Sequence, residues 1–228
     1  ILTLPVNQFG EKMKIQITNR LLSIITALLL FQTLSYSQDP FQPQTTADLQ
    51  TAVDLWVSDN ASAQSTYGEI NTWDVSLITD MSYLFSGSYN NPSLFNDDIS
   101  NWDVSNVTNM NSIFAWAGNF NGDLSSWDVS SVTQMQNMFV NVINFNGDLS
   151  NWDVSNVTNF ENMFMYAEAF NGNISSWNVS SATSMSQMFH VASSFDQDLS
   201  DWDVSNLTNM NALFWRALSF NGDISNWD

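Results

Sequence analysis

Large apolar residues recur along this chain at a fixed spacing. Tryptophan occupies every twenty-fifth position from Trp102 to Trp227, and Trp73 precedes that series by twenty-nine residues. A period of this length is typical of repeat proteins, whose units stack and bury one continuous core. The unit that begins at Trp127 shares its apolar slots with its neighbours, and these slots hold Trp127, Val129, Val132, Met135, Met138, Phe139, Phe145 and Leu149.

Two short apolar patterns lie within each unit. Over residues 135–142 the apolar residues follow the i, i+3, i+4, i+7 spacing of one helix face. Residues 124–129 read L-x-x-W-x-V, and Trp127, Asp128 and Val129 alternate in the in-out-in manner of a short strand. The sequence therefore predicts an α/β solenoid of about six and a half strand, loop, short helix and turn units.

The segment before the repeats predicts an N-terminal cap. Residues 38–44 contain Pro40 and Pro43 and read as a linker. Thr45 or Thr46 is placed to cap a helix that runs to about Ser58, with Asp48 at the third position after Thr45. The apolar stripe of that helix is formed by Leu49, Ala52, Val53 and Trp56. We expect residues 45–66 to form this capping helix and a link, and residues 67–228 to form the repeats.

The first 37 residues carry a different pattern. Residues 13–37 combine basic Lys14 and Arg20, an apolar run over residues 21–34 and a small-x-small site at residues 35–37, which together indicate a secretory signal peptide. Residues 1–12 then read as upstream sequence that is not translated. We expect no membrane insertion after cleavage. Because residue 228 lies inside a unit, we also expect the repeats to be truncated at the C-terminus.

The run LSxWDVSxVTxMxxMF resembles the degenerate leucine-rich repeats of BspA-like bacterial surface proteins. This resemblance covers residues 67–228. It implies a leucine-rich-repeat-like fold and an extracellular or cell-surface role in adhesion or protein binding, and it does not imply an enzyme. A parallel β-helix is the alternative fold.

The net charge of the chain limits the kinds of molecule that it can bind. The chain has 23 acidic and 4 basic residues and a formal net charge of −19. Removal of residues 1–37 leaves Arg216 as the only Lys or Arg and a net charge of −21. Such a surface repels nucleic acid and anionic membranes and attracts cations or basic partners. Because cysteine is absent, there is no disulfide framework, thiol nucleophile or thiolate metal site.

Acidic residues follow the period in two ladders. One comes directly after the tryptophans and holds Asp74, Asp103, Asp128, Asp153, Asp203 and Asp228. The other lies four residues before them and holds Glu69, Asp98, Asp123, Asp148, Asp198 and Asp223. Both ladders change to asparagine in one unit, at Asn178 and Asn173. Stacked carboxylates repel one another, which calcium would relieve; the alternative is that each side chain accepts a local backbone hydrogen bond. We expect no cofactor other than such calcium.

Candidate binding residues lie thirteen and fourteen positions after each tryptophan. The surrounding frame is nearly constant, yet these positions vary widely in size and polarity, as core positions would not. Several are of the types enriched at binding hot spots. The candidates are Trp116, Asn141, Tyr166, His190, Trp215 and Arg216. The sequence predicts an extracellular binding or adhesion protein that contacts a protein or glycan there, and no catalytic residues, because His190 is the only histidine and no acid pair breaks the repeat. The alternative function is a calcium-stabilised structural component of a surface layer or matrix.

Overall fold

A computed structural model describes residues 14, 16–18, 20 and 39–227. The chain divides into two units, Ile1–Asp39 and Pro40–Asp228. In the first unit the described residues 14, 16–18 and 20 are helical, and Asp39 is not. The remaining residues of the proposed upstream segment and signal peptide lie outside the described residues. Within the described part of the chain, no helix combines the length and apolar character needed to cross a membrane.

The second unit begins with two α-helices. Helix α1 spans Thr46–Ser58, and Thr45 is its N-cap, with the hydroxyl accepting a hydrogen bond from the Asp48 N–H at 3.1 Å. This confirms the helix and the cap that the sequence predicted. Its four predicted apolar residues are all buried. Helix α2 spans Asn60–Tyr67, where the sequence predicted only a link. It buries Ala63 alone, so no apolar period revealed it. A 3-10 helix at Ile70–Thr72 follows.

Helix α1 packs on the first repeat coil and supplies donors to it. In the second coil, the carbonyls of Asn109 and Ile113 accept N–H groups from the first coil. The equivalent first-coil carbonyls belong to Asp80 and Leu84, and they accept instead from the side chains of Thr46, at 2.9 Å, and Gln50, at 3.2 Å. Because residues four apart share a helix face, α1 can match the four-residue spacing of these two carbonyls.

The repeats themselves contain neither strands nor helices over residues 73–227. The predicted leucine-rich-repeat-like unit of strand, loop and short helix is therefore wrong, and so is the alternative parallel β-helix. Each coil is instead a succession of turns stacked on the next coil. Parallel contacts between coils are reduced to isolated bridges, such as Asp80 with Asn109 and Asn109 with Gln134.

Alternating hydrogen bonds explain why residues 135–142 are not a helix. The N–H groups of Met138, Val140 and Val142 donate to carbonyls three residues earlier. The N–H groups of Asn137 and Asn141, which alternate with these donors along the chain, donate instead to carbonyls in the next coil. Asn137 and Asn141 have φ of 58° and 57°, the left-handed region, which an α-helix cannot include. The helical spacing of apolar residues is thus produced by overlapping turns.

The predicted strand is also a turn. Trp127 and Val129 are buried and Asp128 is exposed, as the alternation predicted. However, the Trp127 N–H donates to the Leu124 carbonyl at 3.1 Å, three residues earlier in the same coil. That backbone donor is therefore not available to a neighbouring strand.

Three columns of aromatic rings run through the core. Two are phenylalanine columns, in which Phe114, Phe139 and Phe164 follow one another at 5.7 and 5.4 Å between ring centroids, and Phe120 and Phe145 at 6.0 Å. The third consists of the repeat tryptophans. Each interior tryptophan also donates its indole N–H to a carbonyl of the preceding coil, as Trp152 does to Leu124 at 3.0 Å.

Backbone strain at Val191 gives a first testable prediction. Val191 has φ of 59°, a region that is unfavourable for a β-branched residue, and its side chain is only half-buried. Asn141 occupies the same position two coils earlier at φ of 57°. We expect Val191→Asn to raise the free energy of unfolding by about 1 kcal/mol in urea denaturation. Asn141→Val is the reciprocal control and should lower it by a similar amount; no change in either variant would contradict the argument.

Candidate binding edge

The candidate residues fall on one column of the stack, here called the edge, which comprises the two positions thirteen and fourteen residues after each repeat tryptophan. From the coil of Trp102 onward the backbone at the second of these positions is left-handed, and its N–H donates to the next coil wherever one follows. Trp116 donates to Val140 at 2.7 Å and Tyr166 donates to His190 at 2.8 Å. Edge residues of successive coils are therefore neighbours. Positive φ values of 57–64° occur at Trp116, Asn141, Tyr166, Val191 and Arg216.

Four candidates form a continuous row. Tyr166 meets His190 edge-to-face, with ring centroids 5.5 Å apart. His190 stacks on Trp215 at 4.4 Å with planes inclined by 19°. The Arg216 guanidinium lies over the Trp215 ring, 4.5 Å from its centroid. The structure thus joins residues of three successive coils into one aromatic and cationic row.

The other two candidates lie apart from this row. Trp116 contacts Tyr89 edge-to-face at 5.8 Å. Asn141 occupies the coil between Trp116 and Tyr166 and brings no ring to the edge. Tyr89 is 80% exposed and was not among the predicted residues. It lies in the loop at residues 86–93, which holds the four extra residues of the first coil, and an aromatic residue among the Gly, Asn and Pro of that loop was the available signal.

Exposure and charge differ along the row. Trp215 is 48% exposed and Arg216 is exposed, whereas Tyr166 and His190 are half-buried. Desolvation lowers the pKa of His190, and the Arg216 charge lowers it further. His190 is therefore neutral at pH 7, and the row carries a single positive charge on Arg216.

The acidic ladders adopt the hydrogen bonds of Asx turns. At the described Asp residues of these ladders, the side-chain oxygen Oδ1 accepts the N–H two residues later, as Asp128 does from Ser130 at 3.0 Å and Asp153 from Ser155 at 3.0 Å. Asn178 does the same with Ser180 at 3.2 Å, so an amide serves this position as well. The local backbone hydrogen bonds that the sequence offered as the alternative to calcium are therefore present. Among the described residues, no group of three or more His, Asp or Glu side chains could hold a metal ion.

These hydrogen bonds stabilise the charged carboxylates. The Ser130 hydroxyl and N–H lower the pKa of Asp128, and Ser155 acts likewise on Asp153, with a smaller opposing effect from the neighbouring charge of Asp128. Hydrogen bonds from the following serine are also the largest cause of the lowered pKa at Asp74, Asp123, Asp148, Asp203 and Asp223. Hydrogen bonding thus outweighs the repulsion between rungs.

Comparison with known proteins places the chain in a family. Residues 55–169 and 141–228 match the family described as Mycoplasma protein of unknown function, DUF285. The chain belongs to this family. The DUF285 region runs from within α1 to the last coil, and it contains the whole edge and both ladders. No curated protein matches the chain, and neither does any solved structure.

Asparagine and alanine substitutions at Asp128 should separate the contribution of the hydrogen bond to stability from that of the charge. Asp128→Asn retains the acceptor, as Asn178 shows, and we expect a change within about 0.5 kcal/mol. Asp128→Ala removes the acceptor from the Ser130 N–H, and we expect a loss of about 1 kcal/mol in urea denaturation. Equal losses in both variants would show that the charge, rather than the hydrogen bond, is what the fold needs.

The same carboxylates predict a pH dependence. Their folded-state pKa values lie below the usual 3.8, so the folded state binds fewer protons than the unfolded state in acid. The stability that they contribute is present above the unfolded pKa and is lost as pH falls through the folded pKa. We expect the thermal midpoint to fall steadily from about pH 5 to pH 2. A midpoint that rises on acidification would show that repulsion within a chain of net charge −19 dominates instead.

Proposed function

We propose that this chain is a secreted or cell-surface binding protein that contacts a protein or glycan partner through the edge. The observation that carries the proposal is the row formed by Tyr166, His190, Trp215 and Arg216. Tryptophan, tyrosine and arginine are the residues most enriched at binding hot spots. The signal-peptide pattern and the resemblance to BspA-like surface proteins support the extracellular location.

The backbone of the edge supports the same proposal. Trp116, Tyr166 and Arg216 are held at positive φ, where glycine or asparagine would be less strained. The same φ region recurs ten residues after each tryptophan, as at Ser112 and Asn137, so it is a property of every coil, and the edge is distinguished by the large side chains that it presents there. The N–H groups of Trp116 and Tyr166 donate to the next coil, and the Tyr166 ring packs on His190 there, so little freedom of these residues is lost when a partner binds.

Two aromatic clusters, one at the edge and one formed by an edge residue with the neighbouring Tyr89, suit a partner that makes more than one contact. Tyr89 and Trp116 form the first cluster, and the row that begins at Tyr166 forms the second. Trp116 and Tyr166 belong to coils two steps apart, which is about 10 Å at the spacing of parallel backbone pairs. One extended ligand could contact both clusters, and affinity would then exceed that of either cluster alone.

The calcium-stabilised structural alternative lacks comparable support. The Oδ1 atoms of Asp98 and Asp148 accept backbone N–H groups, as those of other ladder residues do. These oxygens therefore already have a hydrogen-bond partner without calcium. Thermal unfolding with millimolar calcium and with EDTA tests this alternative directly. A midpoint raised by calcium and restored by EDTA would favour it over binding at the edge.

The test of the proposal is a binding screen with edge variants. The purified full chain is applied to an array of neutral glycans and to a panel of extracellular-matrix proteins. For any ligand found, we expect Trp215→Ala and Tyr166→Ala each to weaken binding about tenfold or more, as at hot spots. Leu218→Ala is the matched control, because Leu218 is 82% exposed and lies outside the edge. A ligand whose affinity is unchanged by both edge variants would overturn the proposal.

A further inference from the structure

A second surface lies between helix α1 and the loop inserted in the first coil. Two neighbouring clefts of about 280 and 300 Å³ open there, and Val57 and Leu94 line both of them. The floor is formed by core residues that include Val53, Leu84 and Phe95. We call this surface, from Val57 to Leu94 with its floor, the N-terminal cleft. It shares no residue with the edge row at Tyr166, His190, Trp215 and Arg216.

Apolar side chains at the mouth of the N-terminal cleft are open to solvent. Val57 is 49% exposed and Leu94 is 74% exposed, whereas the floor residues Leu84 and Phe95 are 2% exposed. Single exposed apolar residues are common on protein surfaces. Two that flank a cleft with an apolar floor are instead typical of a surface that a partner covers.

The wall that carries Leu94 is fixed in place. Ser88 and Asn91 exchange backbone hydrogen bonds of 2.9 and 3.1 Å, and the Ser93 N–H donates to the Trp116 carbonyl at 3.0 Å. The loop folds so closely on Gly87 that a Cβ there would lie 2.2 Å from the Ser93 nitrogen. Because the wall is ordered before binding, a ligand does not have to order it.

Acidic groups stand at both ends of the N-terminal cleft. Asp54 lines one cleft and Asp97 lines the other. Each has one oxygen engaged, Asp54 Oδ1 with the Gln50 amide and Asp97 Oδ2 with the Trp56 indole, both at 2.8 Å. The second oxygen of each can accept a further donor. Residues 39–227 contain a single Lys or Arg, Arg216 in the last coil, so a basic segment of a partner can supply a counter-charge to these acids.

We propose that the N-terminal cleft binds a peptide segment of another protein that carries a large aliphatic side chain flanked by Lys or Arg. The aliphatic side chain lies between Val57 and Leu94, and the two basic groups reach Asp54 and Asp97. Charge complementarity selects this partner, since a chain of net charge −19 attracts basic segments and repels acidic ones.

Fluorescence anisotropy with defined peptides tests the proposal on the full chain. The probe is a short fluorescein-labelled peptide of alternating leucine and lysine. We expect Leu94→Ser and Asp97→Asn each to raise its Kd about tenfold, the loss of one good contact. Asp203→Asn, which removes the same charge in a distant coil, should leave the Kd unchanged. Both Leu94 and Asp97 are exposed, so these variants should fold, and circular dichroism checks this.

Three outcomes would overturn the proposal. One is a serine–lysine peptide that binds as tightly as the leucine–lysine peptide, since overall acidity would then explain the binding. Another is an unchanged Kd in Leu94→Ser. The third is a concentration-dependent dimer that Leu94→Ser abolishes, which would assign the N-terminal cleft to a second copy of the chain. Trp215→Ala should leave peptide binding intact, so this test is independent of the row at Tyr166, His190, Trp215 and Arg216.

Discussion

Replacing Phe139 with alanine should lower the free energy of unfolding by about 3–5 kcal/mol, the range for a fully buried phenylalanine. Phe139 is 0% exposed and its ring lies 4.2 Å from that of Phe145 in its own coil. It also stacks between Phe114 and Phe164 of the coils on either side. In a stack, stability is approximately a sum of coil and nearest-neighbour terms. Truncation at this position weakens two interfaces between coils, and urea denaturation followed by circular dichroism measures the loss.

Two controls show whether volume and position determine that loss. Phe139→Leu keeps most of the side chain and should cost about 1.5 kcal/mol. Phe214 occupies the same slot in the last coil, where the ring is only half-buried, so Phe214→Ala should cost less than Phe139→Ala. A loss at Phe139 no greater than the loss at Phe214 would contradict a core that is continuous between coils.

The core of this fold could be predicted from the sequence because burial follows from the repeat alone. All the apolar slots of the unit that begins at Trp127 are buried, including Val132 and Leu149. Helix α1 was predictable for a second reason, since Thr45 and Asp48 form a local capping pattern. The recurring apolar positions and the capping pattern can each be recognised without knowing the path that the chain takes within a coil.

The path of the chain within a coil could not be predicted from apolar spacing. Residues 135–142 satisfy the helical period, yet Asn137 and Asn141 adopt left-handed conformations. Their N–H groups bond to Glu161 and Met165, twenty-four residues away. A helix would satisfy those donors locally, whereas the turns satisfy them only after the next coil has stacked. The asparagines were the available hint, because asparagine tolerates the left-handed region better than most residues.

The edge was open to sequence analysis only in part. Variation within a constant frame indicated which positions lie at the surface, but it did not indicate which of them touch. The contact between Tyr166 and His190 arises from stacking of coils, in which the backbone partners at the edge are offset by twenty-four rather than twenty-five residues. Tyr89 could not be placed, because an inserted loop has no equivalent in the other coils. That the edge binds a ligand stays a prediction.

Replacing Trp152 with phenylalanine should lower the free energy of unfolding by about 2–4 kcal/mol, from one lost hydrogen bond and the cavity left by a smaller ring. The Leu124 carbonyl accepts both the Trp127 N–H, at 3.1 Å, and the Trp152 indole N–H, at 3.0 Å. The substitution leaves this carbonyl with its bond inside the coil and removes the bond between coils. Urea denaturation measures the loss.

The matched control is Trp215→Phe, since Trp215 is 48% exposed and lies outside the tryptophan column; we expect a change within about 0.5 kcal/mol. Equal effects at Trp152 and Trp215 would contradict a structural role for the indole bond.

The structural role of the indole bond follows from the turn at each tryptophan. Because the backbone N–H there is used within its own coil, no strand ladder can form, and the indole N–H supplies the link to the preceding coil instead. The fixed tryptophan period thus reflects a side chain that takes the place of a strand hydrogen bond.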